Sequence, residues 1–529
     1  LGANTTGASN TALGLSALAT NTTGVHNQAV GMYALNANTT ASHNTAMGYN
    51  ALGVNTTGAS NVAVGNYALD ANTTAASNVA VGYGALGVVT TVGSMTAIGS
   101  AALAANTSGY GSTAVGAATL DANTTGNLNT AVGQSALGAN TTGSSNTAIG
   151  ASAMAATTTG GNSVAVGNNA LDAMTTANFN TAVGLNALTA NTTASQNVAV
   201  GNHALEANTT AASNTAVGSF ALRVNTTGAY NTAVGGLALD ANTTAANNTA
   251  VGYDALTANT TGSQNASVGS YSLDANTTGA NNVAVGINAL SANTTAGSNV
   301  AVGINALLVN TTGASNTGIG AFALDANTTG ANNTAIGINA GTATTTGAQN
   351  VMLGALAGQT LTTGTYNVYI GYNNNPSAVG NDHEIVIANG NMTGKGSSTG
   401  YISPNGGPMY NGANTTVWVV DSDRRIKKDI VPNTKGLAAI NQIEPKNFYY
   451  KSKEELQEEL PGVKDDFPLN KLTTSAIAQE LELIFPEAIE RRGEHDIMSV
   501  NTDPIFWSMI NAIKELSAKV TELEDKLNG

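Results

Sequence analysis

Ser422 and Lys427 stand five residues apart in the segment Asp421-Ser422-Asp423-Arg424-Arg425-Ile426-Lys427-Lys428-Asp429-Ile430. A serine hydroxyl is a weak nucleophile until a base takes its proton, and a lysine of depressed pKa can be that base. On spacing alone the pair reads as part of a solvated charge run. Other chemistry-bearing types are sparse. His26 and His43 are 17 residues apart, and two lone imidazoles read as surface residues before they read as a metal site. The chain has no cysteine, which excludes a disulfide framework and thiolate metal sites. It has no phosphate loop and no zinc-ligand spacing. No cofactor and no metal are expected. Asn-Thr-Thr recurs at Asn4, Asn21, Asn38 and Asn55 as a glycosylation sequon. The stronger reading is a ladder of Asn side chains bonded from one layer to the next.

The elements around these residues come from a 17-residue unit, repeated in register about 22 times from Asn4 to about residue 377 without insertion. One copy runs Asn55-Thr56-Thr57-Gly58-Ala59-Ser60-Asn61-Val62-Ala63-Val64-Gly65-Asn66-Tyr67-Ala68-Leu69-Asp70-Ala71. Positions are counted from its opening Asn. Position 11 is always Gly, as in Gly65, and position 10 is always aliphatic. A fixed period means that each copy is one coil stacked on the last. Seventeen residues are too few for a helical hairpin repeat of roughly 33. They suit a β-coil with strands at positions 7–10 (from Asn61) and 13–16 (from Tyr67). Gly65 makes one turn, either because φ is positive there or because a side chain would clash, and Asn-Thr-Thr-Gly makes the other. At ~4.8 Å per coil the rod is roughly 100 Å long.

Apolar residues come in adjacent pairs, Ala63-Val64 and Ala68-Leu69. Strand neighbours point to opposite faces, so one face is expected to fill the coil and the other to meet another chain. The alanines at positions 9 and 14 would let subunits approach closely. Seven of the eight acids in residues 1–372 occupy position 16, never on adjacent coils, as the repulsion of stacked like charges requires. Arg223 is also at position 16, between Glu206 one coil before and Asp240 one coil after, which predicts an ion pair between coils.

The consensus Asn-Thr-Ala-Val-Gly-x-x-Ala-Leu resembles the head repeats of trimeric autotransporter adhesins, and similar repeats occur in phage tail fibres. Over residues 1–377 the resemblance implies a parallel β-roll in an intertwined homotrimer. From residue 378 to 421 the period is lost, and Glu384-Ile385-Val386-Ile387 and Val417-Trp418-Val419-Val420 suggest a β-rich neck. Tyr401, Tyr410 and Trp418 there read as packing at the fibre end rather than as ligand contacts. All nine prolines lie at or after Pro376, and residues 422–529 hold 35 of the 48 charged residues.

This last region is helical in character. Residues 475–485 read as one helix stopped by Pro486. Phe506, Met509, Ile513, Leu516, Val520, Leu523 and Leu527 alternate spacings of 3 and 4, a heptad seam for a coiled coil over about residues 505–528. Residues 422–430 match Ser-Asp-x-Arg-x-Lys-x-x-Ile, the opening pattern of the intramolecular chaperone auto-processing domain of endosialidases, phage tail fibres and tail spikes. Ile443-Glu444-Pro445-Lys446-Asn447-Phe448, Ala478-Gln479-Glu480, Phe485-Pro486-Glu487-Ala488 and Ala512-Ile513-Lys514-Glu515-Leu516 continue that resemblance. It implies a trimeric domain that guides folding of the fibre and then cuts itself free. Ser422 would be the nucleophile, Lys427 its base and Asp421–Ser422 the scissile bond, a single-turnover serine peptidase. The acidic stretch at residues 453–466 departs from short members of the family.

The expected whole is a small α+β chaperone domain behind a long β-solenoid: a trimeric extracellular shaft, in a phage tail fibre that attaches to a host. Its partners would be two further copies of itself and a host-surface receptor, a glycan or an outer-surface protein. The alternatives are a bacterial surface adhesin with the same assembly module and a polysaccharide-degrading tail spike. The net charge of −14 argues against nucleic acid. No stretch approaches 18 consecutive apolar residues, so no membrane insertion is expected. No signal peptide is visible, and a chain opening in mid-repeat at Leu1 reads as a fragment or a processed product.

Overall fold

In a computed structural model, the structure describes residues 2–403, 409–412, 418–419, 428–452, 455–456, 472–492 and 497–529. The chain divides into two compact units, residues 1–421 and 422–529.

Each 17-residue coil of the first unit contributes one three-residue strand. The strands run from β1 (Thr11–Leu13) and β2 (Gln28–Val30) in step to β22 (Val368–Ile370). Every strand pairs in parallel with the strand one coil on, as Val62 with Val79 and Ala63 with Ala80. The parallel stack outlasts the recognisable repeat. β23 (Ile385–Ala388) and β24 (Gly400–Ser403) add to it, and β25 (Met409–Asn411) and β26 (Trp418–Val419) close it antiparallel. The solenoid thus holds 24 parallel strands in about 23 turns.

The second strand expected at positions 13–16 does not form. Positions 13 and 15 have left-handed backbone, as at Tyr67 (φ 61°) and Leu69 (φ 51°). Three overlapping tight turns cross this stretch: Ala51 N–H to Gly48 O, Gly53 N–H to Asn50 O and Asn55 N–H to Leu52 O. Left-handed backbone costs a β-carbon-bearing residue roughly 1–2 kcal/mol. Two gains offset it at Leu69: its N–H bonds Ala85 O of the next coil at 3.0 Å, and its side chain is fully buried.

This turn also corrects the expected division of faces. Neighbouring side chains alternate only along a strand, so Ala68 and Leu69 both point inward. Ala63, Ala68 and Leu69 form the interior of a single coil, and the alanines of positions 9 and 14 are not on the outside. What the strand presents outward is positions 8 and 10. The position-10 residues Met47, Ile98, Ile149 and Leu353 are 45%, 39%, 40% and 43% exposed, samples of an aliphatic file that runs the length of the stack.

Gly65 meets both of its expected reasons. Its φ is 131°, and a β-carbon there would lie 2.5 Å from Gly82 O of the next coil. Two files of buried asparagine tie coil to coil. At position 1, Asn55 Nδ2 donates to Asn38 Oδ1 (3.1 Å) and to Gly58 O (3.0 Å). At position 7, Asn61 N–H donates to Asn44 Oδ1 (2.9 Å), and Asn61 Nδ2 donates to Ala75 O (2.8 Å). The sequon asparagines from Asn21 onward are therefore sealed in, wherever position 1 keeps its Asn. The threonine hydroxyls of position 2 also bond across coils, Thr56 Oγ1 to Thr73 O at 3.0 Å.

The position-1 file breaks at Val89, at Thr157 and Met174, and at Thr344 and Leu361, which replace Asn. Asn72, Asn140 and Asn327, each one coil before a break, have a buried Oδ1 with no hydrogen-bond partner. Arg223 pairs with Asp240 alone of its two expected partners, through Nε–Oδ1 at 2.9 Å and Nη2–Oδ2 at 3.0 Å. Glu206 lies 3.0 Å from His203 Nδ1 instead, and Phe220 sits under the Arg223 guanidinium.

In the second unit, α1 (Leu437–Ile440), α2 (Ala478–Glu482) and α3 (Asp503–Asn528) accompany two antiparallel strand pairs, β27 (Lys446–Phe448) with β28 (Thr473–Ser475) and β29 (Ile489–Arg492) with β30 (Ile497–Val500). The core is Leu481, Phe485 and Ala488, surrounded by Ile440, Ile443, Ile489 and Val500. The helix expected over 475–485 is shorter, because Ser475 is held extended by pairing with Lys446. Among the described residues no helix is long and apolar enough to cross a membrane.

The asparagine files make a prediction of both signs. Val89→Asn gives Asn72 Oδ1 a donor and should stabilise coils 72–106 locally by about 1 kcal/mol. Asn225→Ala takes a partner from each of three buried groups, Asn208 Oδ1, Gly228 O and Asn242 Nδ2, and should destabilise its own neighbourhood by about 1–3 kcal/mol. Amide exchange resolved by coil measures both; equal protection in the two variants would rule out the files as a source of stability.

Candidate functional site

Asp421, Ser422 and Lys427 lie outside the described residues. The segment that follows them is described from Lys428 on, and it runs without regular structure to Gly436. It is nonetheless held to α3. Asn511 Nδ2 donates to Asn433 O (2.8 Å) and Lys435 O (3.2 Å), and Asn433 Nδ2 donates to Ser508 Oγ (3.0 Å). Asn433 Oδ1 also accepts Lys435 N–H (3.0 Å), which shapes the turn between them. Glu515 takes the Leu437 N–H at 2.9 Å and so caps the start of α1.

Lys435 fastens the other side. Its Nζ donates to Ile484 O (2.6 Å) and to Glu487 Oε2 (3.0 Å), and lies 4.6 Å from the centre of the Phe485 ring. Burial on its own would push the Glu487 carboxyl up. Its backbone N–H and the Lys435 ammonium outweigh that and hold its pKa below the usual range. A carboxyl depressed in the folded state adds stability above its unfolded pKa and loses it as pH falls through the folded value. This anchor therefore loosens in acid, below about pH 4.5.

Ser508, Asn511, Ala512 and Glu515 lie on the side of α3 that faces the unit. Phe506, Met509, Ile513, Leu516, Val520, Leu523 and Leu527 form a second file, each at least 46% exposed. At 3.6 residues per turn the two files lie about a third of a turn apart around the helix. A groove of about 180 Å³ lined by Leu437, Ile440, Met509, Ala512, Ile513 and Leu516 borders the exposed file. The sequence marked the seam; the anchoring roles of Asn433, Lys435 and Asn511 it did not mark, because their partners are 49 to 78 residues away.

On the first unit, the His26 and His43 rings stack at 5.1 Å, and among the described residues no cluster of three or more metal-ligating side chains occurs. Tyr401, placed with the neck aromatics, is buried.

Residues 422–490 match the family described as chaperone of endosialidase. No curated protein and no solved structure matches the chain. A long β-solenoid followed by such a domain fits a tail-fibre- or spike-like protein.

Asn511→Ala should free the 433–435 turn at a cost of about 1–2 kcal/mol to the second unit, since two carbonyls lose a donor. Denaturant melts with exchange at Lys435 N–H give the measurement. The same melts taken through pH 4.5 should show Lys435→Met flattening the acid loss.

Proposed function

We propose that the chain forms a homotrimeric extracellular shaft, the shaft of a phage tail fibre, whose C-terminal unit brings three chains into register and then cuts itself off before Ser422. The observation that carries this reading is an unpaired apolar file in each unit. The solenoid has its position-10 aliphatics, repeated at every coil, and α3 has its seam. Aliphatic side chains half exposed over roughly 100 Å favour a partner of the same length and period. A further copy of the chain has both. A heptad seam on α3 gives that partnership a short, quickly formed starting point, whereas parallel β-stacking is slow and easily mis-registered.

The match over residues 422–490 and the residue types support self-release. Lys427, unprotonated, takes the Ser422 hydroxyl proton, and Oγ adds to the Asp421 carbonyl carbon. The C–N bond then breaks, the Ser422 nitrogen leaves as an amine carrying the proton, and an ester joins Asp421 to the serine oxygen. Water hydrolyses the ester to the Asp421 carboxylate and restores the hydroxyl. A reaction used once per chain needs no substrate cleft and no cofactor. The shaft left behind would meet a receptor on a host surface, a glycan or an outer-surface protein.

Two measurements test the proposal separately. Intact mass should give two fragments for the wild type, split between Asp421 and Ser422, and full length for Ser422→Ala; a full-length wild type sinks self-release. Val234→Asp with Ile319→Asp puts charge on the outward file without touching the coil interior. Sedimentation should then report single chains with unchanged circular dichroism, and a persisting trimer would remove this face as the interface.

A further inference from the structure

We infer that the last coils of the array, residues 341–384, form a register key: a set of non-repeating core residues that opposes loss of a coil at the end of the stack. Coils of near-identical sequence invite a specific error. A coil can be looped out so that the one before it stacks on the one after. Through most of the array positions 9 and 15 do nothing to oppose this, because position 9 is small and position 15 is Leu or Met in coil after coil up to Leu324.

At the end of the array the sizes exchange. Position 9 becomes Met352 and then Tyr369, both fully buried, and position 15 becomes Gly341 and then Gly358. The pairs are complementary. A β-carbon on Gly341 would lie 2.7 Å from Met352 Sδ, and one on Gly358 would lie 2.7 Å from Met352 Cγ and 3.2 Å from Tyr369 Cδ2. The glycines keep the left-handed backbone of the leucines they replace (φ 62° and 61°), so the coil path is unchanged and only the volume has moved across the interior.

A second lock follows. Glu384 stands where position 7 had Asn, with its backbone N–H on Asn367 Oδ1 at 2.8 Å. Its fully buried carboxylate accepts the Tyr369 hydroxyl (3.0 Å), the Gly396 N–H (2.7 Å) and Asn381 Nδ2 (3.3 Å). A carboxylate ends the position-7 file, because it cannot donate to a further coil.

Two mis-stackings then meet distinct penalties. With residues 327–343 looped out, Leu324 faces Met352 in the space that Gly341 leaves open. With residues 361–377 looped out, Glu384 stays buried without the Tyr369 hydroxyl, and a void replaces the ring. The key acts within one chain, so it holds whether or not chains trimerise or cut themselves.

The chain has no cysteine, so engineered pairs can report alignment. Thr334 and Val351 are register partners, as are Val368 and Ile385. Neighbouring parallel strands are within disulfide reach at ~4.8 Å. After refolding and oxidation, Thr334→Cys with Val351→Cys should close, while Thr317→Cys with Val351→Cys and Val351→Cys with Ile385→Cys, which require a looped-out coil, should not. Restoring the repeat by Gly341→Leu, Met352→Ala, Gly358→Leu and Tyr369→Ala should raise the intrachain yield of the two slipped pairs at least tenfold, read by peptide mass. Equal slipped yields in both backgrounds would overturn the key. If the fourfold variant fails to stack, Tyr369→Phe decides: it keeps the ring, and the Val351–Ile385 pair should rise in it; an unchanged yield overturns the key.

Discussion

No coil of this solenoid can satisfy its own interior. The position-7 asparagine is fully buried, and its two amide atoms find partners only on adjacent coils, the carbonyl taking a backbone N–H and the amide nitrogen reaching a turn carbonyl. A buried polar group without a partner costs on the order of 1–3 kcal/mol. This one constraint sets the length of the unit. A single inserted residue would carry Asn61 out of reach of both neighbours and turn two gains into two losses. The absence of slips across the array is the sequence record of that geometry.

The rest of the coil is arranged around it. Glycine at position 11 lets successive turns stack at the strand spacing, and leucine at position 15 accepts a left-handed backbone because its N–H and its side chain are both repaid by the coil above. Where position 1 abandons asparagine, the coil before it keeps an unpaired oxygen. The stack tolerates these defects because nearest-neighbour coupling in repeat proteins confines each loss to the adjoining coils.

The same stacking leaves apolar side chains outside. Position 10 must be aliphatic on the strand's outer face in coil after coil, though the interior of its own coil does not need it. In the second unit, α3 repeats the situation on a smaller scale, with one file tied down by Asn511, Ser508 and Glu515 and a second bare. Two unpaired files, one on a parallel stack and one on a helix, are what the proposed assembly from the C-terminal end would use. The anchor through Asn433 and Lys435 ties that helix to residues 433–435, downstream of the proposed cut.

The sequence by itself determined the period, the parallel stack, the place of Gly65, the inter-coil file of Asn55 and the seam on the last helix. All of these follow from residue type recurring at a fixed distance, and a periodic pattern carries its own register. It did not determine which apolar residues face inward. Alternation predicts that only if the segment is a strand, and three overlapping turns at positions 11–18 put Ala68 and Leu69 on the same side. Nor did it separate the two acids beside Arg223, since a fork that binds one carboxylate through two nitrogens has to choose by direction, and direction is a property of the folded coil. The Met352–Gly341 and Tyr369–Glu384 pairings were likewise invisible, because each looks like a lapse in the repeat until the stack brings the two lapses together. Tertiary structure decided these points for one physical reason: each depends on where a side chain points relative to another coil, which spacing along the chain does not specify.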